Sequence, residues 1–421
     1  MRIGQRLKPL RVRLLMILAV VGPGIITANV DNDAGGITTY SVAGAHYGYS
    51  LLWMLVLVAL ALIIVQEMSA RLGVVTGKGL ADLIRENFGV RATAVIIGIV
   101  LIANLANTVS EFAGVAASLE IFGVSKYVST PLAAVVVWFL IVKADYKTVE
   151  RIFLVASALY LCYVASGILE NPPWRVVLQS LHTPSFRFEA GYVTIFVTII
   201  GTTIAPWMQF YQQSAIVDKG LKITEYAYER LDVIVGSVFA VLVAGFITIA
   251  CAATLHENGI RIETAQDAAM ALRPLAGEYA STLFALGLLN ASVFSAAILP
   301  LSTAYVVCEA FGWEAGISHS WKEAPIFFGI YTALIALGAA IILLPIKSLV
   351  QAMLASQTLN GVLLPVILIV MLKLINDKRL MGRFVNGRVF NIIAWVMVII
   401  LILLTVILLL TSFFPGLFGG R

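Results

Sequence analysis

From Leu14 to Ala45 the chain is apolar over a length that crosses a bilayer, yet the run is interrupted by Gly22-Pro23-Gly24 and again by Asp31-Asn32-Asp33-Ala34-Gly35-Gly36. Hydrocarbon penalises an ionised carboxylate and an unpaired backbone amide alike. Such a segment persists only where protein or water surrounds the interruption, and the common reason to keep it is a polar ligand. A simple Pro/Gly kink with an acid near a helix end is the alternative. The coincidence of acids and glycines at one place argues against it.

The rest of the chain sets this segment in context. Of the 421 residues, 60% are hydrophobic and 12% charged, with a mean hydropathy of +0.97, which is the composition of a polytopic membrane protein. Hydropathy predicts eleven spans, near 14–45 (broken), 50–71, 92–120, 127–143, 148–169, 190–216 (broken), 231–255, 278–311, 324–345, 348–375 and 390–413. The long third, eighth and tenth must tilt, bend or protrude. The 28 Lys and Arg residues divide 21 to 7 between alternate loops. The positive-inside rule therefore predicts a cytoplasmic N terminus and, with an odd number of spans, an extracytoplasmic C terminus in the cell membrane. The net charge of +5 follows this sidedness, so it gives no reason to expect nucleic acid. The basic start through Arg13 and the length of the next span do not fit a cleaved signal peptide.

Cys162, Cys251 and Cys308 lie singly in apolar runs, and His46, His182, His256 and His319 all fall in predicted loops. With no HExxH, no Ser-His-Asp arrangement and no Cys/His cluster in the spans, a membrane-embedded enzyme has nothing to work with. Thr76-Gly77-Lys78-Gly79 lacks the Walker spacing and the accompanying strand, so it is not a phosphate loop.

The sixth span is also interrupted, at Gly201-Thr202-Thr203-Ile204-Ala205-Pro206-Trp207. Matching breaks five spans apart predict two inverted five-helix repeats, about 14–169 and 190–375, plus an extra helix at about 390–413, in a single transmembrane domain covering 1–421. A binding site is then expected at the bilayer midplane between the two unwound segments.

Several motifs in register now resemble the Nramp family of divalent-metal transporters, and specifically its magnesium-transporting branch. They are Gly22-Pro23-Gly24, Tyr47-Gly48-Tyr49-Ser50-Leu51-Leu52-Trp53, the run Ala70 to Lys78, Glu111-Phe112-Ala113-Gly114, Ser356-Gln357, and Lys378-Arg379-Leu380-Met381-Gly382. The resemblance covers essentially the whole chain. It implies an all-α, LeuT-like 5+5 inverted repeat of eleven helices, with a metal ion as substrate and no cofactor.

The departures from the family pattern concern the ion first. The first-helix signature Asp-Pro-Gly-Asn is Asp33-Ala34-Gly35-Gly36 here, so the acid is kept and the Asn amide is gone. The Met that precedes the sixth-helix Pro is Ala205, and the residue one turn earlier, usually Ala, is Thr202. A thioether favours softer transition metals, whereas magnesium prefers oxygen and keeps several waters. The expected metal site is therefore Asp33 as main ligand, the carbonyls of Ala34 and Thr202, Gly36 and Ala205 as space for bound water, and Gln357 at a family ligand position on the tenth helix. Mg²⁺ is the expected substrate, with Mn²⁺ as a second. The alternative that Gly36 and Ala205 merely ease helix packing stays open. Asp31 is a further carboxylate of undetermined role.

A second group of departures concerns protons. Histidines of the family's sixth helix, an acid of its third and arginines of its ninth are replaced here, with Trp207 and Thr108 at two of those places. Glu111 remains, either on an inner path or in an ion pair, while Glu67 is spaced to pair with Arg71. Transport without proton coupling follows. The runner-up is a proton-coupled Mn²⁺/Fe²⁺ importer. Other classes are an amino-acid transporter, which the acidic break disfavours, and a metal sensor, which would be expected to carry a soluble signalling domain.

Overall fold

The computed structural model describes residues 30–143, 157–317 and 319–413, and among them every regular element is helical. Thirteen helices matter for the site: α1 (Ala34–Tyr47), α2 (Leu52–Thr76), α3 (Leu80–Glu120), α4 (Lys126–Lys143), α5 (Leu161–Leu169), α6 (Trp174–His182), α7 (Ala190–Thr203), α8 (Pro206–Asp218), α9 (Tyr226–Cys251), α10 (Ala280–Phe311), α11 (Pro325–Leu343), α12 (Leu349–Asn376) and α13 (Arg388–Phe413). Nine segments of the described residues are long and apolar enough to cross a bilayer. One of these, Ala34–Thr76, contains the end of the first predicted span and the whole second, parted by a tight turn at Gly48. The first half of the broken first span, including Gly22-Pro23-Gly24, lies outside the described residues, as does 148–156 of the fifth.

Burial sorts these helices into an inner group and a lipid-facing group. The α7–α8 segment is 94% buried over its most apolar window, whereas α13 is only 28% buried. Ile392, Ile399, Ile400 and Leu403 of α13 are exposed, as hydrocarbon requires of an outer helix. Inside, α10 and α12 lie along α3, α12 lies along α7, and α9 flanks α1 and α2.

Close contact of α7 and α12 rests on glycine. A Cβ on Gly201 would overlap the Gln357 carbonyl and the Gly361 backbone, and one on Gly361 would overlap the Val197 carbonyl. Without side chains at either position the two backbones approach directly, which is how membrane helices gain dispersion contacts when no hydrophobic effect drives them together.

Two departures from the predicted spans have local causes. The third span, expected from 92, belongs to a helix that begins at Leu80, because Gly89 (φ 76°, ψ 170°) breaks its direction and separates a short leading segment. That is the bend the span's length demanded. The connection 170–189 holds a helix that hydropathy did not predict, α6, of which only Val177 is buried. The chain after α6 is held by Trp53 Nε1 and the Tyr192 hydroxyl, which both donate to the Ser185 carbonyl, at 3.2 and 2.6 Å.

Candidate metal centre

The first break lies at Asn32–Asp33. Val30 and Asp31 are helical, the next two residues are not, and α1 starts at Ala34. Asp33 caps that start: its backbone is extended (φ −69°, ψ −175°) and its Oδ1 accepts from the Gly36 amide at 2.6 Å. Acids are favoured here, because the first amides of a helix lack internal acceptors and carry its positive dipole end. A second acid answers the same need. Glu111 of α3 is fully buried, and its Oε2 accepts from the Ala34 amide at 3.2 Å. Glu111 is thus a helix cap, and no ion pair engages it among the described residues.

The second break separates α7 from α8 at Ile204–Ala205. Pro206 opens α8, where a missing amide hydrogen costs nothing. The same proline affects the carbonyl four residues earlier. In an unbroken helix the Thr202 carbonyl would accept from the amide of residue 206, which Pro206 does not possess. The Thr202 hydroxyl is also buried with no partner. Across the gap, the Tyr40 and Thr203 hydroxyls bond at 2.8 Å and fix α1 against α7.

Gly36 is where the two breaks meet. A Cβ built there would stand 2.6 Å from the Asp31 carbonyl oxygen and 3.3 Å from both Asp33 Oδ1 and Thr202 Oγ1. Three oxygens from two broken helices therefore surround the position on α1 where Gly36 has no side chain. Gln357 of α12 packs over Gly35 and neighbours the Asp33 carboxyl. Its Oε1 accepts from Asn360 at 2.9 Å, while its Nε2 is buried without a partner. Asp31 is 2% exposed, and both its carboxylate oxygens lack hydrogen bonds.

The structure thus brings Asp33, Gly36, Thr202 and Gln357 together, and one expected contribution needs correction. Ala34 is the first residue of a regular helix, so its carbonyl is used by the amide four residues on. The Asp31 carbonyl takes the place foreseen for it. Ala205 sits in the break with the small side chain expected of it, and its carbonyl accepts from Met208 N at 3.2 Å and from the Gln209 amide nitrogen at 2.9 Å. Its contribution is its small size. One group was not foreseen: Met353 Sδ on α12 accepts from the Thr38 hydroxyl at 3.5 Å, two residues along α1 from Gly36. Among the described residues no cluster of three His, Cys, Asp or Glu could hold a metal. A cation at Gly36 would rest on carboxylate and neutral oxygens, the donor set of a hard ion.

Other acids are placed as structural groups. Glu67 pairs with Arg71 at 3.1 Å and also accepts from the Tyr226 hydroxyl, and Arg71 reaches the Phe384 carbonyl and Asn386. Glu309 accepts from Ser214 at 2.5 Å and lines a cavity of about 310 Å³ with Lys78, Asp82 and Asp218.

Comparison with known proteins places this geometry. The model of the Nramp family, described as natural resistance-associated macrophage protein-like, matches residues 24–411. The chain belongs to the Nramp family. A relative, the divalent metal cation transporter MntH of Ralstonia nicotianae, is 30% identical over 400 residues, which cover 90% of this chain and 88% of that protein. MntH of Verminephrobacter eiseniae is 27% identical over 419 residues, covering 96% and 92%. Among solved structures, an Eremococcus coleocola manganese transporter matches with a TM-score of 0.75 at 23% identity, over 96% of this chain and 88% of that one. A nucleobase-cation-symport-1 transporter in a closed conformation matches with a TM-score of 0.59 at 15% identity, over 94% and 92%. This Nramp chain accordingly has the LeuT-like fold, and as a member of a transporter family it is not an enzyme.

Proposed function

We propose that this Nramp protein is a divalent-cation transporter whose main substrate is Mg²⁺, with Mn²⁺ as a second, and that it works by alternating access without proton coupling. The observation that carries the reading is the oxygen surround of Gly36, made by the Asp33 carboxylate, the Asp31 carbonyl and the Thr202 hydroxyl, with no thioether or imidazole in it. Mg²⁺ binds through a carboxylate or two and retains water, and small residues at 36 and 205 leave room for that water. Alternating access follows from the fold, by rocking of one helix group against another around the two breaks.

Absence of proton coupling is supported by what the acids and their surroundings do. One Glu111 oxygen is taken up as a cap, beside the Asp33 carboxyl, and buried Trp207 follows the proline where the family has histidine. Nor does the energetics demand coupling. At ~100 mV a divalent cation gains ~4.6 kcal/mol on entry, which supports accumulation of roughly a thousandfold. The basic-residue asymmetry orients this uptake in the cell membrane, with the N terminus in the cytoplasm and the C terminus outside.

The second reading is a proton-coupled importer of Mn²⁺ or other transition metals. It is favoured by the relatives' names and by Met353, whose sulfur meets Thr38, two residues from Gly36. Uptake in proteoliposomes carrying a luminal pH dye tests both. Mg²⁺ flux driven by a negative interior, with no luminal acidification, is the expected result. Strong Cd²⁺ flux without Mg²⁺ flux, or acidification in step with uptake, overturns it.

A further inference from the structure

Three buried amides form a row that leads away from the first break, from Gln357 and Asn360 of α12 to Asn107 of α3. Gln357 Oε1 accepts from Asn360 Nδ2 at 2.9 Å. Asn360 and Asn107 then bond each other twice. Asn360 Nδ2 donates to Asn107 Oδ1 at 2.8 Å, and Asn107 Nδ2 donates to Asn360 Oδ1 at 3.1 Å. Asn107 and Asn360 are 0% exposed and Gln357 is 1% exposed, so water does not compete for these bonds. Asn107 lies one turn before Glu111, and the same face of α3 therefore carries the end of the row and the cap of α1.

The row has a direction. An amide is a donor at one end and an acceptor at the other. Because Asn360 donates to the Gln357 oxygen, the Gln357 nitrogen is the end that lies over Gly35 and neighbours the Asp33 carboxyl. That orientation suits a carboxylate by itself, which takes a donor. A hard cation takes oxygen instead, and an amide N–H repels it. For Gln357 to offer oxygen, its amide has to turn over. Its nitrogen then meets the Asn360 nitrogen, so Asn360 has to turn as well, and Asn107 has to turn to keep its paired bonds with Asn360. In the reversed row every bond is re-formed with donor and acceptor exchanged. The row thus has two fully bonded arrangements, and turning one amide alone sets donor against donor in a buried place.

We propose that Asn360 and Asn107 are positioning residues for the transported cation, and that the three amides turn as a unit. Gln357 faces Asp33 with its nitrogen before the ion arrives, and faces the ion with its oxygen once it is bound. The inference rests on the reading above that places the cation at Asp33 and Gly36. The asparagines act through Gln357. They accept from its nitrogen after the turn and so hold its oxygen forward, and Asn107 carries the state of the site from α12 to α3.

Infrared difference spectroscopy reads the asparagines directly. Full-length protein in liposomes, labelled with ¹³C at the asparagine side-chain carbonyl, is compared with and without saturating MgCl₂. A labelled carbonyl band that moves on Mg²⁺ addition is expected in wild type. It should be lost in Asp33→Ala, which removes the ion, and in Gln357→Leu at a Mg²⁺ concentration that saturates that variant. A band that stays fixed in wild type, or that moves equally in Gln357→Leu and so reports Asn32 beside Asp33, overturns the proposal. Mg²⁺ binding that survives Asp33→Ala overturns the placement of the ion instead. Mg²⁺ affinity by titration calorimetry gives a second readout. Asn360→Leu should weaken binding by about tenfold, yet have no effect in the Gln357→Leu background, where nothing is left to position. Asn107→Leu serves in the same cycle if Asn360→Leu does not fold. Loss by the same factor in both backgrounds marks the asparagines as packing groups and overturns the proposal.

Discussion

The Glu111 carboxylate and the Ala34 amide are bonded across two helices, at 3.2 Å, so that α3 caps the start of α1. One oxygen of the acid carried by the third span serves a backbone group, and the same carboxyl neighbours that of Asp33. Glu111→Ala leaves that amide buried with no acceptor and should cost about 1–3 kcal/mol of stability. Glu111→Gln keeps an acceptor oxygen and should lose less, with Mg²⁺ uptake preserved. Thermal unfolding and flux measured on both variants check this. Normal stability with abolished uptake in Glu111→Gln would assign the carboxylate to transport.

Asp33 combines two roles that substitution can separate. Asparagine caps a helix about as well as aspartate but carries no charge. Asp33→Asn should therefore unfold near the wild-type temperature while Mg²⁺ uptake falls to background. Asp33→Ala should lose uptake and, in addition, about 0.5–2 kcal/mol from the missing cap. Uptake surviving in Asp33→Asn would place the ion elsewhere.

Restoring sulfur should restore softness. Ala205→Met puts a thioether beside the Thr202 and Asp33 oxygens, so Cd²⁺ uptake should appear while Mg²⁺ uptake drops by about tenfold. Gly36→Asn is a harsher change, because its Cβ would stand 2.6 Å from the Asp31 carbonyl and α1 would have to shift. Its uptake of both ions should fall. Competition of each metal against labelled Mn²⁺ measures the ranking in each variant.

Gly201 and Gly98 form a matched pair for packing. A methyl on Gly201 collides with the α12 backbone, whereas one on Gly98 of α3 meets nothing within 4 Å. Gly201→Ala should destabilise by about 1–3 kcal/mol, and Gly98→Ala should stabilise by about 0.5–1 kcal/mol through its helix propensity. Unfolding midpoints that move alike in the two variants would show that α7 and α12 do not depend on their close approach.

Both breaks were legible in the sequence because glycine, proline and acid inside apolar runs have few other uses. Glu67 with Arg71 was legible for a similar reason, being a local spacing that needs no tertiary knowledge. The exact carbonyl was not. Reading Ala34 as a donor assumed that the gap extends past Asp33, yet an aspartate three residues before Gly36 is itself a cap signal and marks where α1 restarts. The tie between Gln209 and the Ala205 carbonyl, and the approach of Met353 to Thr38, depend on which helix faces meet, and no spacing within one segment reveals that. Charges at Arg85, Glu86 and Arg91 hid the extension of α3 to Leu80, since hydropathy counts polarity and is blind to a helix that leaves the membrane.

Pro206 has an implication for how this pocket is probed. A main-chain oxygen survives every side-chain exchange at its own position, so an alanine scan passes over the contribution of residue 202 apart from its hydroxyl. The informative change lies four positions away. Pro206→Ala would supply the hydrogen that a continuous helix needs there, and it could quiet that oxygen only by drawing Ile204 and Ala205 into helical geometry and closing the break.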